Sequence, residues 1–291
     1  MRLAVISPVH NEAPFLERVA RSLMAQTLRP AAWIVVDDGS DDGTPELLDR
    51  LEGEVPFLSV RRLWEQPGDG DRLVAARAPR AFNAGLALVS LEDFHYLAKL
   101  DGDIELPPDY FETLIGRMEA DPALGIACGD LVEPRGDDWK RLTIPSHHVH
   151  GALKLYSRAC FEQIGGIRDC LGWDTIDETY ARMYGYSTRS FADVVARHHR
   201  PSGAAQGTLR GRARHGACAW IAHQGPGWVA LRSVKLGLQR RPPVISGFAF
   251  LYGYVRAALK RTPRVADDEF RSFVRGELRG RMAAKLKARP A

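Results

Sequence analysis

The segment AWIVVDDGS (Ala32–Ser40) passes from a run of apolar, mainly β-branched residues directly into a polar turn. An apolar run without polar alternation is typical of a strand that is buried on both faces of a parallel sheet. Thr44 and Pro45 follow as the N-cap and the first position of a helix. Strand, polar turn and helix form the unit from which α/β proteins are built, so this segment predicts the fold class.

The same pattern recurs through the amino-terminal part of the chain. Three further apolar strands are predicted at 3–7, 57–63 and 96–100. Amphipathic helices are predicted after Asn11, at Arg80–Val89 and from Pro107 onward, with Asn11 as a candidate cap of the first one. These elements predict an α/β domain with a Rossmann-like, mostly parallel sheet flanked by helices. Because ligands of such sheets bind beyond the carboxyl ends of the strands, we expect the polar turns there to converge on one crevice.

The charge is distributed very unevenly along the 291 residues. The net charge is +4, but residues 1–193 carry 20 Lys/Arg against 32 Asp/Glu. From 194 to 266 there are 13 Lys/Arg and no acidic residue. The acidic first part and the basic later part of the chain, called the basic rear below, indicate that the basic part faces something anionic. We find no nucleic-acid recognition module, so nucleic acid is not expected as a partner.

Composition and cysteine usage are those of a globular protein, with 45% hydrophobic and 26% charged residues. The amino terminus lacks the features of a signal peptide, and no apolar stretch reaches the roughly 18 residues of a membrane span. The four cysteines are scattered, without a C-x-x-C pair. We therefore expect a cytoplasmic protein with reduced cysteines, peripheral on the inner face of the membrane if the basic rear binds lipid.

Four motifs occur in a fixed order along the first half of the chain: VISPVHNE (Val5–Glu12), IVVDDGSDDGT (Ile34–Thr44), RAFNAG (Arg80–Gly85) and LDGD (Leu100–Asp103). This ordered set resembles the signature of family 2 glycosyltransferases with a GT-A fold, over residues 3 to about 190. The resemblance implies an inverting, metal-dependent glycosyltransferase. Such an enzyme moves a sugar from a nucleotide-sugar donor to a hydroxyl acceptor, here in polysaccharide or glycolipid synthesis.

The resemblance also implies which residues bind the donor. Asp38 would contact the nucleobase, and its carboxylate can accept hydrogen bonds from a base N–H or a ribose hydroxyl. The turn from Pro8 through Asn11 to Glu12 would face the nucleotide. Arg80 and Asn83 begin a helix beside the crevice, where a guanidinium could meet the diphosphate, although an ordinary solvated arginine fits equally well.

Asp101 and Asp103 are the candidate metal residues. Mg²⁺ and Mn²⁺ prefer carboxylate and phosphate oxygens, and a leaving diphosphate needs its charge neutralised. By resemblance, Asp101 lies nearer the ribose, Asp103 ligates the metal, and His199 is a candidate further ligand. A second Asp-Gly-Asp at 69–71 lies in a polar stretch and is predicted to be a surface turn.

Inverting transfer also needs a general base for the acceptor hydroxyl. The family usually supplies it from a Glu-Asp pair that precedes a Gly-aromatic pair by 11 residues. Asp174 stands at that spacing from Gly185, while Trp173 occupies the usual Glu position. Asp174 is therefore the predicted base. Asp177 is the alternative, since Asp177-Glu178 resembles the family pair out of register.

The predicted organisation is a catalytic domain at 1–200 followed by a basic, mostly helical region at 201–291. The nucleotide-sugar half would cover 1–120 and the acceptor half 121–200, with a polar loop at 133–150. In the basic region, VISGFAFLYGYV (Val244–Val255) is too short to span a bilayer. Its basic flanks suit an interfacial anchor, and a core or oligomer-interface helix is the alternative. A sugar-phosphate nucleotidyltransferase and a non-catalytic nucleotide-sugar binding module remain as rival functions.

Overall fold

The computed structural model describes residues 1–63, 76–201, 207–239 and 242–287, the last four of these through their backbone. The described residues form two compact units. One contains 1–63, 76–169 and 180–201, and the other contains 170–179 and 207–287. The second Asp-Gly-Asp at 69–71, predicted to be a surface turn, lies outside the described residues.

The first unit is built on a nine-stranded sheet in the order β3-β2-β1-β4-β8-β6-β9-β5, with β7 paired to β6. The strands are β1 (Leu3–Val9), β2 (Ala32–Asp37), β3 (Leu58–Arg62), β4 (Tyr96–Leu100), β5 (Ile104–Glu105), β6 (Leu124–Arg135), β7 (Asp138–Leu142), β8 (Leu153–Ser157) and β9 (Ser187–His198). The helices of the first unit are α1 (Leu16–Met24), α2 (Thr44–Glu54), α3 (Arg77–Leu86), α4 (Tyr110–Ala120) and α5 (Arg158–Gln163), with a 3₁₀ turn at Leu91–Asp93. The next helix, α6 (Trp173–Met183), begins in the second unit and ends in the first.

The sheet is parallel in its amino-terminal half. The strand β1 pairs in parallel with β2 and β4, and β2 with β3. Beyond β4 the pairing is mixed, since β8 runs antiparallel to β4 and β6 while β9 runs parallel to β6. The predicted α/β fold with flanking helices is thereby confirmed. Its parallel character belongs to the half that carries the sequence motifs.

Close helix-to-sheet packing explains the glycine of the RAFNAG motif. A Cβ added at Gly85 would lie 2.8 Å from Cγ2 of both Ile6 and Val36. The helix α3 therefore rests directly on β1 and β2, and a larger residue would push it away from the sheet.

The prediction of a loop at 133–150 is wrong in its first part. The strand β6 continues to Arg135 and forms a hairpin with β7, turning at Gly136 with a φ of 64°. The side chains of β7 are mostly exposed, so the strand lacks the apolar alternation that would have revealed it. The strands β8 and β9 were also not predicted.

The second unit is mainly helical, as predicted. Its helices are α7 (Thr208–Ile221), α8 (Pro226–Gln239), α9 (Ile245–Leu259) and α10 (Asp268–Lys287). A core of Ala219, Val229, Phe250 and Tyr254 joins α7, α8 and α9. None of the helices in the described part of the chain is both long and apolar enough to cross a membrane.

Candidate active site

The turns that follow β1 and β2 are tied together by hydrogen bonds. The backbone N–H of Glu12 donates to Oγ1 of Thr44 at 2.8 Å, and that of Asn11 donates to Oγ of Ser40 at 2.9 Å. The N–H of Asp38 donates to the carbonyl of Val9 at 2.9 Å. The structure thus joins two of the predicted polar clusters into one crevice wall, and β4 adds the third because it lies beside β1.

Asn11 does not cap the first helix, which corrects that part of the prediction. The helix α1 begins at Leu16, with Phe15 at its N-cap position. Asn11 instead adopts a left-handed backbone with a φ of 59° and pairs with Asp41. Its Nδ2 donates to Oδ1 of Asp41 at 2.6 Å, and the Asp41 N–H donates back to its Oδ1 at 2.9 Å. Asn11 thereby ties the turn after β1, the strand that contains Pro8, to the turn after β2.

The two aspartates that end β2 have different roles. Asp37 accepts hydrogen bonds from the N–H and hydroxyl of Ser40 at 3.0 and 2.6 Å, which closes the turn. Asp38 is buried, and neither of its carboxylate oxygens accepts a hydrogen bond from the described residues. Nε of Arg77 lies 3.6 Å from Oδ2 of Asp38, and Nη2 of Arg80 lies 3.6 Å from Oδ1. At this separation the two positive charges stabilise the carboxylate but do not form close hydrogen bonds with it. Asp38 therefore keeps the capacity to accept hydrogen bonds from a ligand.

The two candidate residues on α3 are placed differently. Arg80 lies beside Asp38 at the crevice with about a third of its side chain exposed. Asn83 turns its amide to the protein, because Nδ2 donates to the carbonyl of Ile167 at 3.0 Å. Arg80 thus remains available to an anionic ligand, while Asn83 fixes α3 to the segment that follows α5.

The Asp-Gly-Asp turn after β4 is held on both sides. The buried ammonium of Lys99 pairs with Oδ1 of Asp101 and donates to the carbonyl of Gly151 at 2.8 Å. A Cβ added at Gly102 would lie 2.9 Å from Cγ1 of Val9 and 3.0 Å from Cγ of Glu12. Glycine is therefore what allows this turn to pack directly against the turn after β1.

Asp103 is a buried carboxylate with one oxygen unoccupied. Its Oδ2 lies 3.3 Å from Nε2 of His198, whose Nδ1 lies 2.9 Å from Oε1 of Glu133. Its Oδ1 is buried and has no hydrogen-bond partner among the described residues. A buried carboxylate oxygen left open in this way is suited to a cation.

The imidazole beside Asp103 belongs to His198 and not to His199. Both ring nitrogens of His199 have other neighbours, since Nε2 lies 2.7 Å from Oε2 of Glu105 and Nδ1 lies 3.3 Å from Arg18. Only its backbone N–H reaches Asp103, donating to the carbonyl oxygen at 3.0 Å. His198 is the last residue of β9, and His199 lies just beyond the end of that strand, where its ring turns to Glu105 instead of Asp103.

Carboxylates crowd this part of the crevice. Burial, together with the charges of Asp103 and Asp101, raises the pKa of Glu12 to about 8, although Arg200 pairs with it at 2.7 Å. Burial also raises the pKa of Asp101, against the effect of Lys99. Burial lowers the pKa of His198, but its hydrogen bond with Asp103 and the nearby negative charges outweigh this and raise it. Excess buried negative charge of this kind is relieved by binding a cation.

The residues fit a divalent cation that is shared with a ligand. Among the described residues, no group of three or more His, Cys, Asp and Glu side chains is arranged to hold a metal by itself. Asp103 offers an open oxygen, with Asp101 and His198 close by. Mg²⁺ and related ions are commonly held by one or two carboxylates plus the phosphates of a substrate, which matches this donor set.

Asp174 and Asp177 both lie in the second unit, on α6. Asp174 is partly buried in the first turn, and its charge reaches His215 and Cys218 on α7. Burial, followed by the charge of Asp174, raises the pKa of the Cys218 thiol to about 12. Asp177 is 1% exposed, and its Oδ1 accepts a hydrogen bond from the backbone of Glu178 at 2.6 Å. Asp174 is therefore the more accessible of the two carboxylates.

The backbone that leads into α6, just before Asp174, requires a glycine at position 172. Gly172 has a φ of 84°, and an added Cβ would lie 3.1 Å from Cβ of Cys218. Any other residue at this position would be strained, because its backbone is left-handed and its Cβ would press against a neighbouring helix. This glycine sets where α6 begins.

Comparison with known proteins identifies the family. The model of glycosyl transferase family 2 matches residues 4–164, and the chain belongs to this family. An uncharacterized glycosyltransferase of Nostoc sp. is 27% identical over 126 residues, which cover 43% of this chain and 35% of that protein. Chondroitin synthase of Pasteurella multocida is 27% identical over 122 residues, which cover 42% of this chain and 11% of that protein. The chain thus spans about a third or less of the length of these curated relatives.

A solved structure shares the fold. The mannosyltransferase from Pyrobaculum calidifontis in complex with GDP-Man and Mn²⁺ superposes with a TM-score of 0.56 at 21% identity. The alignment covers 100% of this chain and 76% of that one. At this level of identity the likeness establishes the GT-A fold that the motifs predicted.

Besides Arg77, which lies one helical turn before the predicted Arg80 on α3, sequence reasoning missed Lys99, Glu133, His198 and Arg200 in the crevice. A lone lysine in the apolar strand β4, two residues before Asp101, was a signal, because the period of a strand places both side chains on one face. The others come from β6 and from the end of β9. Their contacts depend on a pairing that local patterns did not reveal.

Proposed function

We propose that this protein is a metal-dependent, inverting glycosyltransferase that transfers a sugar from a nucleotide-sugar donor to an acceptor hydroxyl. One observation carries the proposal: two buried carboxylates, Asp38 and Asp103, have unoccupied oxygens at the carboxyl ends of β2 and β4. Family membership supports the reaction class. The bound GDP-Man and Mn²⁺ named for the similar mannosyltransferase structure support a donor of this kind.

The donor nucleotide would bind along the ends of β1 and β2. Asp38 would accept hydrogen bonds from a base N–H or a ribose hydroxyl, as its two open oxygens allow. Arg77 and Arg80, which already lie beside Asp38, would face the diphosphate. Pro8, Asn11 and Glu12 would form the wall on the other side.

Asp103 would hold the divalent cation, with Asp101 nearer the ribose. His198 takes the place proposed for His199, because its Nε2 is the imidazole nitrogen that lies at Asp103. Mn²⁺ or Mg²⁺ would supply the positive charge that stabilises the departing diphosphate. Lys99 holds Asp101 in place from beneath, and Glu133 orients the ring of His198.

Asp174 would act as the general base. An ionised carboxylate there would accept the proton of the acceptor hydroxyl as that oxygen attacks the anomeric carbon, and a single displacement inverts its configuration. The partial burial of Asp174 supports this role over Asp177, whose carboxylate is enclosed and bonded to the backbone of its own helix.

The acceptor would be a lipid-linked or polysaccharide hydroxyl. The name of the similar chondroitin synthase supports a polysaccharide product, and the basic second unit supports an acceptor that lies at an anionic surface.

Donor binding tests the proposal most directly. A panel of nucleotide-sugars is titrated into the protein by calorimetry with and without Mn²⁺, and acceptor-independent hydrolysis is followed in parallel. One donor should bind in a Mn²⁺-dependent manner, and Asp103→Asn should weaken that binding by at least about 100-fold, as expected for a lost metal ligand.

Asp109→Asn is the matched control, because Asp109 is exposed at the start of α4 and takes no part in the crevice. It should bind the donor as the wild type does. Unchanged Mn²⁺-dependent binding in Asp103→Asn would refute the metal assignment. Binding without any turnover would favour a non-catalytic module.

A further inference from the structure

The helix α9 distributes its residues in the reverse of the usual surface pattern. Its buried positions are mostly small, and its exposed positions are mostly large and apolar. The large side chains recur at a spacing of three and four residues, which places them on one face. They are Ile245, Phe248, Tyr252, Val255 and Leu259. A surface helix of a globular protein ordinarily presents polar residues there.

The buried face shows why the large residues remain outside. A Cβ added at Gly253 would lie 1.8 Å from the carbonyl oxygen of Ala213, and one at Gly247 would lie 2.4 Å from that of Ser233. The helix α9 is therefore packed backbone to backbone against α7 and α8. Small residues let helix backbones approach this closely, as they do between helices in membranes.

The neighbouring helix α8 adds a second exposed row. Leu231, Val234 and Leu238 lie at the same spacing, and Leu238 is 79% exposed. The two helices contact each other, since Ser233 Oγ donates to the carbonyl of Gly247 at 2.8 Å. We call the eight side chains of both rows the apolar face.

Charge decides which partner fits the apolar face. Lys235, Lys260 and Arg261 are exposed on or beside the two helices, and residues 194–266 contain no Asp or Glu. A second copy of the chain would bring two uniformly basic surfaces together, which is unfavourable in a symmetric dimer. An anionic surface would instead neutralise them.

We propose that the apolar face of α8 and α9 docks the protein on an anionic lipid bilayer. The helix α9 has 15 residues, so at 1.5 Å per residue it is about 22 Å long and shorter than the roughly 30 Å hydrocarbon core. It would lie in the plane of the interface, with its large side chains among the acyl chains and its basic residues at the headgroups. This surface does not depend on the proposed transfer chemistry.

Vesicle flotation of the full chain tests the proposal. Wild-type protein is mixed with phosphatidylcholine vesicles that contain 30% phosphatidylglycerol, and with pure phosphatidylcholine vesicles. It should float with the anionic vesicles and much less with the neutral ones. Replacing Phe248, Tyr252 and Leu259 together by serine should lower the partition coefficient by more than about 100-fold, given the apolar area withdrawn from the membrane.

Leu88→Ser is the matched control, because Leu88 is 53% exposed in the first unit and lies outside both the crevice and the apolar face. It should float as the wild type does. Changing Lys235 and Lys260 to glutamine should lower partitioning about fivefold per residue on anionic vesicles and have little effect on neutral ones. Circular dichroism melts of each variant establish that the fold is retained.

Two results would overturn the proposal. One is equal flotation of the wild type and the triple serine variant. The other is a wild-type dimer in analytical ultracentrifugation that the triple variant converts to monomer, without vesicle binding by either. Mn²⁺-dependent donor binding is measured on the same samples, and it should be unchanged in the triple variant. Loss of membrane binding is thereby distinguished from failure of the proposed enzyme activity.

Discussion

Gly102→Ala should destabilise the first unit even though it adds a single methyl group. The new Cβ would lie 2.9 Å from Cγ1 of Val9 and 3.0 Å from Cγ of Glu12, where ordinary contacts begin near 3.4 Å. Val9 is nearly fully buried in β1 and cannot move without disturbing the sheet. Overpacking of this degree costs about 1–3 kcal/mol in the free energy of unfolding.

The substitution should also weaken donor binding. Relief of the contact displaces Glu12, which is paired to Arg200, so the turn after β1 shifts relative to Asp103. If about 1.4 kcal/mol of the strain is released only in the protein without donor, affinity falls about tenfold. Gly102→Ala should therefore change two measurements together.

Gly116→Ala provides a control of opposite sign. Gly116 lies inside α4, is exposed, and an added Cβ would have no described atom within 4 Å. Alanine at such a position should stabilise the helix by up to about 1 kcal/mol. Hydrogen exchange of the β1 and β4 amides, measured by mass spectrometry, reports both effects within the first unit. Equal protection in the two variants would refute the packing argument at Gly102.

Two further predictions concern ionisable groups. Asp174→Asn should lower kcat at least about 1000-fold while donor binding stays within about twofold, because the amide cannot accept the proton of the acceptor hydroxyl. Full transfer activity in this variant would show that Asp174 is not the general base. For Glu12, burial raises the pKa from its ordinary value of 4.5 to about 8, so the folded protein binds the extra proton and loses stability as the pH rises from about 5 to 8. In the presence of EDTA, Glu12→Gln should gain thermal stability relative to the wild type as the pH rises across this window. If the difference in Tm between the two proteins is the same at pH 6 and at pH 8.5, the burial argument is wrong.

Local patterns in the chain were sufficient for the strands that are buried on both faces. The strands β1, β2 and β4 are continuous apolar runs, and each ends in polar residues that mark the crevice. The exposed strand β7 lacks such a pattern, and β9 alternates irregularly because its pairing with β6 shifts register between Gly129 and Asp130. The contribution of β9 to the crevice could therefore not be predicted from local sequence patterns.

The glycines show the same division between local and tertiary information. Gly102 could be predicted as a turn residue from its place between two aspartates. Its tight contact with Val9 and Glu12 comes only from the packing of two turns that lie far apart in the chain. Gly253 gives no local signal at all. Glycine is required there because the carbonyl of Ala213 on another helix occupies the space that a Cβ would take.

The sequence by itself determined the α/β class and the order of the motifs, because these depend on local apolar periodicity and on residue chemistry. The resemblance of those motifs to a known family is what predicted Asp38, Asp101 and Asp103 as site residues. The tertiary structure decided that His198 rather than His199 lies at Asp103. His198 is the last residue of β9 and pairs with Ile104 in β5, which places its ring at Asp103, whereas His199 lies beyond the end of the strand. That register is set by contacts between strands nearly a hundred residues apart, which no local pattern contains.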